Sequence, residues 1–114
     1  PGTTSPVLAQ AEAEWLADFE NYVQAHLADD ALSISFLAQE FSMSESTFLR
    51  QVTRITGLSP KQYLQEVRLH AAREMLENKT YSSVSQVSEK VGYSNVRTFT
   101  RSFQQRFGKL PSEV

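Results

Sequence analysis

The chain has 114 residues, no cysteine and a net charge of −2. That length allows one domain or two very small ones, and the lack of cysteine excludes a disulfide framework, a cysteine nucleophile and a zinc–cysteine site. The small net charge conceals a split: residues 1–45 hold eight acids and no Lys or Arg, whereas residues 46–110 hold all eleven Lys and Arg against four acids. A basic C-terminal part suggests a polyanion partner, although an acidic first helix lying against a basic body would produce the same split.

Pro1 to Pro6 is rich in Pro, Gly, Thr and Ser and reads as the end of a linker, with residues 1–8 outside the domain proper. It has neither the basic start nor the apolar centre of a signal peptide. A helical pattern begins near Ala9. Trp15, Leu16, Phe19, Tyr22, Val23, His26 and Leu27 recur at three- and four-residue spacing, and Asp29-Asp30 breaks the stripe. Ser33 can cap a short helix from Ile34 to Phe41. Ser42-Met43-Ser44 turns the chain, and Ser44 can cap a helix from about Glu45 to Thr56 with Phe48, Val52 and Ile55 inward. Gly57 ends it.

Ser59-Pro60-Lys61-Gln62 is a strong helix start, with serine at the cap, proline at the first helical position and Gln62 closing a capping box. This helix runs to about Asn78. Its apolar surface (Leu64, Val67, Ala71 and Met75, widened by Tyr63, Leu69, Ala72 and Leu76) predicts neighbours on two sides. Ser83 and Gln86 predict a second capping box at the head of a short helix, Val84 to Val91. Gly92-Tyr93-Ser94 turns the chain again. The last helix spans Asn95 to Gly108, with Phe99, Phe103 and Phe107 on one side and Arg97, Thr100, Arg101 and Gln104 on another. No strand pattern occurs, so the expected fold class is all-α. No apolar run approaches the roughly 18 residues of a membrane span, and no membrane contact is expected of this segment.

The last helix has a twin. Phe48, Arg50, Gly57 and Pro60 match Phe99, Arg101, Gly108 and Pro111, each 51 residues later. The preceding short helices align at an offset of 50, so the second turn is one residue longer. The chain therefore carries two helix–turn–helix units. Such a unit lays its second helix in the DNA major groove while the first braces it. That helix needs an apolar inner face, outer side chains able to bond base edges, and phosphate-binding groups at its start. The first copy presents Ser46, Leu49, Arg50 and Thr53. The second presents Arg97, Thr100, Arg101 and Gln104. Arginine can bond guanine in a bidentate manner. Ser44 and Ser94, read as the helix caps, stand where backbone N–H groups favour phosphate. The competing function is a helical protein-interaction module with a basic face.

With these residues in view, the chain resembles the DNA-binding domain of AraC/XylS-type transcription regulators. The resemblance covers about Trp15 to Glu113. It rests on Val87-Ser-Glu-Lys-Val-Gly-Tyr-Ser followed by Phe99-Thr-Arg-Ser-Phe-Gln-Gln-Arg-Phe-Gly-Lys-Leu-Pro-Ser-Glu, with Gly92, Phe103, Phe107, Gly108 and Pro111 in place. Thr56-Gly57-Leu-Ser-Pro60 with Tyr63, Arg68-Leu69, Ala72 and Leu76 is similar to the family's linker helix. The resemblance implies two homeodomain-like subdomains, about seven helices in all. They would be a first helix–turn–helix subdomain at 9–59, a linker helix at 60–78 and a second subdomain at 79–114. It implies a bacterial transcription factor that reads double-stranded DNA in successive major-groove segments. Base reading falls on Ser46, Leu49 and Arg50, then on Val96, Arg97, Thr100 and Arg101. Leu49 and Val96 cannot hydrogen-bond a base and are expected at a thymine methyl or at none. The residues after Pro111 are few for the family's last helix. Also implied are a cytoplasmic location, a sensor or effector domain preceding this segment, and an opening for RNA polymerase as a partner.

Phosphate candidates beyond Ser44 and Ser94 are Thr47, Asn95 and Gln104, together with Arg54, Arg106 and Lys109, which could equally be solvated surface. Arg68, in the middle of the linker helix, either bridges the subdomains or touches phosphate. His26 and His70 are the only histidines. Glu66 and His70 have a spacing that could share a metal, but nothing supplies a third ligand, so both histidines are read as surface or helix-end residues. No serine has an evident base and acid partner, so catalysis is unsupported and no cofactor is implied.

Overall fold

The computed structural model describes residues 6–28 and 32–114, with side chains from residue 9 onward. The first five residues of the linker end and the Asp29-Asp30 break lie outside the described residues. Every regular element among the described residues is helical. The order is α1 (Pro6–Ala25), α2 (Ile34–Glu40), α3 (Glu45–Thr56), α4 (Pro60–Glu77), α5 (Val84–Lys90), α6 (Val96–Phe107) and a single 3₁₀ turn, Pro111–Glu113. Six α-helices and this turn stand where about seven helices were expected. Helix α1 starts three residues before the expected Ala9.

The hydrophobic residues divide into two cores. Phe19, Val23, Leu37, Phe48 and Val52 are fully buried in the first, and Trp15 and Phe41 pack against them. Val87, Val91, Phe99 and Phe103 are fully buried in the second. Burying one such side chain contributes about 1.5–3 kcal/mol. Helix α4 serves both cores, which explains its wide apolar surface: Tyr63 and Leu64 belong to the first, Leu69 and Ala72 to the second. The Tyr63 ring stacks on Phe19 with centroids 5.0 Å apart. Burial, reinforced by nearby Glu20, pushes the Tyr63 hydroxyl well above its ordinary pKa, so it stays neutral.

The helix ends follow local chemistry. Ser59 Oγ accepts the Gln62 N–H at 3.2 Å, and Gln62 Oε1 accepts the Ser59 N–H at 3.1 Å. This closes the capping box at the head of α4. At α5 the expected box is displaced by one residue. Ser83 Oγ does accept the Gln86 N–H, but the Gln86 side chain reaches past Ser83 to the Ser82 N–H and hydroxyl, at 3.1 and 2.9 Å. Two adjacent serines offer two targets, and the side chain takes the one that supplies both a backbone and a hydroxyl donor. Gly57 and Gly108 end α3 and α6 in the left-handed conformation, both at φ 77°.

The two turns inside the units share one closure. The Met43 N–H donates to the Ala38 carbonyl at 2.8 Å, and the Tyr93 N–H donates to the Ser88 carbonyl at 3.0 Å. Both turns need a residue at positive φ, Ser42 at 57° and Gly92 at 96°. Gly92 is also fixed by its surroundings. A Cβ there would lie 2.1 Å from the Leu27 carbonyl oxygen and 2.9 Å from Arg68 Nε. The turn of the second unit thus presses directly on the chain just after α1, and Arg68 lies in that junction.

Candidate nucleic-acid interface

Helix α3 is held by its inner face, where Phe48 and Val52 are fully buried. That leaves Ser46, Leu49, Arg50 and Thr53 exposed on the outside. Helix α6 is held by Phe99 and Phe103 and exposes Val96, Arg97, Arg101 and Gln104. Thr100 differs from the other expected base readers. It is half-buried, and its hydroxyl donates to the Val96 carbonyl at 2.8 Å. The Thr53 hydroxyl is similarly committed to the Leu49 carbonyl at 2.8 Å. Leu49 and Val96 are 47% and 41% exposed, the large hydrophobics that stand out on the described surface.

The start of each helix also has its own chemistry. Ser44 Oγ accepts the Thr47 N–H at 3.2 Å and donates its own proton to Thr47 Oγ1 at 2.9 Å. In the second unit the cap is Asn95, not Ser94. Asn95 Oδ1 accepts the N–H groups of Arg97 and Thr98 at 2.8 and 3.3 Å. Ser94 therefore stands outside the helix. Asn95 is the residue 51 positions after Ser44, so the repeat offset itself marks the cap. The same offset pairs Thr47 with Thr98, which is exposed in the first turn of α6 and was missing from the sequence-based set. Its signal was the position of its twin.

The arginines fall into two groups. Arg50, Arg97 and Arg101 are exposed and have no hydrogen-bond or ion-pair partner among the described residues. Arg54 and Arg106 are engaged within the protein. Arg54 is ion-paired with Glu12 of α1 and reaches Gln51 at 3.3 Å. Arg106 is ion-paired with Glu66 of α4, with Nε 2.8 Å from Oε2, and its guanidinium lies 5.0 Å over the Phe107 ring. The first pair ties the last turn of α3 to α1, and the second ties the last turn of α6 to α4. Lys109 and Gln104 are exposed, with no side-chain hydrogen-bond or ion-pair partner among the described residues. No group of three or more His, Asp or Glu among the described residues could hold a metal ion. His26 Nδ1 lies 2.8 Å from the Tyr22 carbonyl at the end of α1, and His70 lies 3.7 Å from Glu66. No described helix is long and apolar enough to cross a membrane.

Two helix–turn–helix units joined by α4, each with a short helix partly buried in its core and an arginine-bearing second helix, define a bipartite helix–turn–helix DNA-binding domain. A family model described as a helix–turn–helix domain matches residues 37–114. The chain belongs to the AraC/XylS family, as the DNA-binding domain of its transcription regulators. It is 31% identical over 93 residues to the HTH-type transcriptional activator RhaS of Escherichia coli, covering 82% of this chain and 33% of RhaS. It is 29% identical over 91 residues to a histidine kinase of Formosa agariphila, covering 80% of this chain and 7% of the kinase. The chain thus spans a third or less of these relatives. Among solved structures, a transcriptional regulator with an AraC-type DNA-binding domain from Chromobacterium violaceum superposes with a TM-score of 0.80 at 25% identity, covering 92% of this chain and 89% of that one. The DNA-binding domain of AdpA, a global transcriptional factor solved in complex with a target DNA, superposes with a TM-score of 0.78 at 28% identity, covering 86% of each chain.

Proposed function

We propose that this domain reads double-stranded DNA with α3 and α6 in successive major-groove segments on one face of the duplex. The observation that carries this reading is the set of three partnerless arginines. Arg50, Arg97 and Arg101 occupy the exposed faces of two repeated helices, while the neighbouring Arg54 and Arg106 are neutralised by acids. The molecule extends 46 Å along its longest axis. That is long enough to reach major-groove segments one helical turn, about 34 Å, apart. Arg50, Arg97 and Arg101 read guanine, Leu49 and Val96 meet thymine methyls, and Ser46 takes a polar base edge. Thr100 is a weaker base reader, its proton being committed to the helix. Ser44, Thr47, Asn95, Gln104 and Lys109 serve phosphate, and Ser94 does so from outside the helix. Arg54 and Arg106 reach phosphate only by giving up their acids.

In domain terms, residues 9–59 and 79–114 form the two reading units and 60–78 joins them. RhaS is named an activator, and the chain matches a third of it. This supports an output domain of a cytoplasmic bacterial regulator with a sensor or effector domain elsewhere in its chain and RNA polymerase as a protein partner. A salt titration of binding to random duplex DNA tests the reading, and a steep fall in affinity with salt is expected. If no binding occurs at low salt, the domain is instead a protein-interaction module. Under the DNA-binding reading, selection from a random DNA pool should return a site with guanines in both halves.

A further inference from the structure

A cleft of about 510 Å³ lies between the two units, where α4 passes from one core to the other. Ser33 of α2, Lys61, Gln65 and Arg68 of α4, and Thr98 and Ser102 of α6 line it. Its charge sets it apart. Both of its ionised groups are cations, and no carboxylate lines it. Four other clefts of similar size each carry at least one glutamate. Lys61 is exposed, and neither Lys61 nor Arg68 has a hydrogen-bond or ion-pair partner among the described residues. Arg68 Nε is even buried without one.

Lys61 is also placed against the local electrostatics. It is the second residue of α4, whose first turn has no acid, so it adds positive charge to the positive end of the helix dipole. An anion at the cleft would relieve both. The location says which anion. Thr98 and Ser102 each follow a free arginine of α6 by one residue, which is 100° around the helix. The cleft therefore opens beside the reading face of α6, and Ser33 brings it to the first unit.

We propose that this cleft seats the DNA backbone between the two major-groove segments, with Lys61 and Arg68 holding its phosphates. The proposal rests on the reading that α3 and α6 enter successive major grooves. Lys61 and Arg68 then act alike on every sequence, fixing the distance between the two reading heads rather than choosing bases.

The test uses Lys61→Gln, because Lys61 is exposed, whereas Arg68 also packs beneath Gly92 and its variants can fail to fold. Lys61→Gln should weaken binding to the selected site and to random duplex by a similar factor, about threefold to tenfold at low salt, and flatten the slope of log K against log salt by about 0.9. A neutral methylphosphonate placed between the two half-sites should weaken the wild type and erase its advantage over the variant. An unchanged affinity and slope for Lys61→Gln, while Arg101→Ala still alters base preference, would overturn the seat and leave the parent reading intact. Loss of duplex binding by the wild type itself would overturn both. Resonance shifts at Lys61 and Arg68 produced by inorganic phosphate but not by duplex would make the cleft a small-anion site and likewise overturn the proposal.

Discussion

The two units solve one geometric problem with different residues. Both close the turn between their short and recognition helices with the same backbone bond, and both require a residue at positive φ there. The first unit uses Ser42, which hangs in an exposed turn. The second uses Gly92, which is pressed against the Leu27 carbonyl of the first. The cores diverge in the same way. Trp15, Phe19, Phe41 and Phe48 pack ring to ring in the first unit, while valines from α5 meet the phenylalanines of α6 in the second. The reading faces diverge most, with one free arginine on α3 and two on α6. A duplicated scaffold thus keeps its backbone hydrogen bonds while its outer residues change freely, since the outer residues do not hold the fold. The shared junction, where Gly92 meets Leu27 and Arg68, is the part that neither unit can vary alone.

The sharpest way to break the comparison is to exchange the turn residues. Gly92→Ala puts a methyl inside contact distance of a backbone oxygen at a φ that disfavours side chains. It should cost about 3 kcal/mol or more, a fall of more than about 10 °C in melting temperature by thermal unfolding. Ser42→Gly, its counterpart, should change stability by less than about 1 kcal/mol in either direction, because relief of the left-handed strain is offset by a more flexible unfolded chain. Equal losses in the two variants would show that the junction is no tighter than the free turn.

The reading faces can be compared by truncation. Arg101→Ala should lose about 1–3 kcal/mol on the selected site and relax preference at one base pair, with little effect on stability. Arg50→Ala should do the same at one position in the other half-site. Arg54→Ala, by contrast, should leave base preference intact. Quantitative binding to site libraries separates these outcomes. A uniform loss on all sequences for Arg101→Ala would make it a phosphate contact.

Much of this was legible in the sequence because it depends on short spacings. The six helices, the glycine stops and the Ser59–Gln62 box are set by residues within four positions of one another. So is the outward placement of Arg50, Arg97 and Arg101. The errors arose where two adjacent polar residues compete for one task. Ser94 and Asn95 can both cap, and the side-chain oxygen of Asn95 reaches two N–H groups. Ser82 and Ser83 both offer donors to Gln86. What periodicity could not reveal were contacts set by tertiary packing. Glu12 and Arg54 are 42 residues apart, and Glu66 and Arg106 are 40 apart. Until the helices dock, both arginines look like free cations.

The buried hydroxyl of Ser88 gives a smaller and cleaner test. Ser88 occupies the position that Ala38 holds in the first unit, 2% exposed, and its Oγ has no hydrogen-bond partner. Replacing it by the residue of its twin removes an unsatisfied polar atom without changing the backbone. Ser88→Ala should stabilise the domain by about 1 kcal/mol in chemical denaturation, and Ala38→Ser should destabilise it by about 1–3 kcal/mol. A loss on Ser88→Ala would mean that the hydroxyl does find a partner, for instance a buried water.

The smallest expected effects are those of the two ion pairs, and they rank the units. Both pairs are partly exposed: the side chains of Arg54 and Glu12 are 56% and 33% accessible, and those of Arg106 and Glu66 are 45% and 28% accessible. Solvent screening then limits each to about 0.2–1 kcal/mol. Arg106 nevertheless has more to hold it. Its Nε–H faces both oxygens of Glu66, and its guanidinium lies over the Phe107 ring, which the Arg73 guanidinium also approaches at 4.9 Å. Cation–π contact adds about 0.5–1 kcal/mol at such exposure and does not depend on the carboxylate. Glu66→Gln should therefore leave Arg106 in place, whereas Glu12→Gln should release Arg54 from α1. If so, Glu12→Gln raises affinity for random duplex at low salt more than Glu66→Gln does, because one more mobile cation becomes available to phosphate. The gain should vanish in the Glu12→Gln, Arg54→Ala double variant. If Glu66→Gln gives the larger gain, the ring does not hold Arg106, and the two units anchor their recognition helices by charge alone.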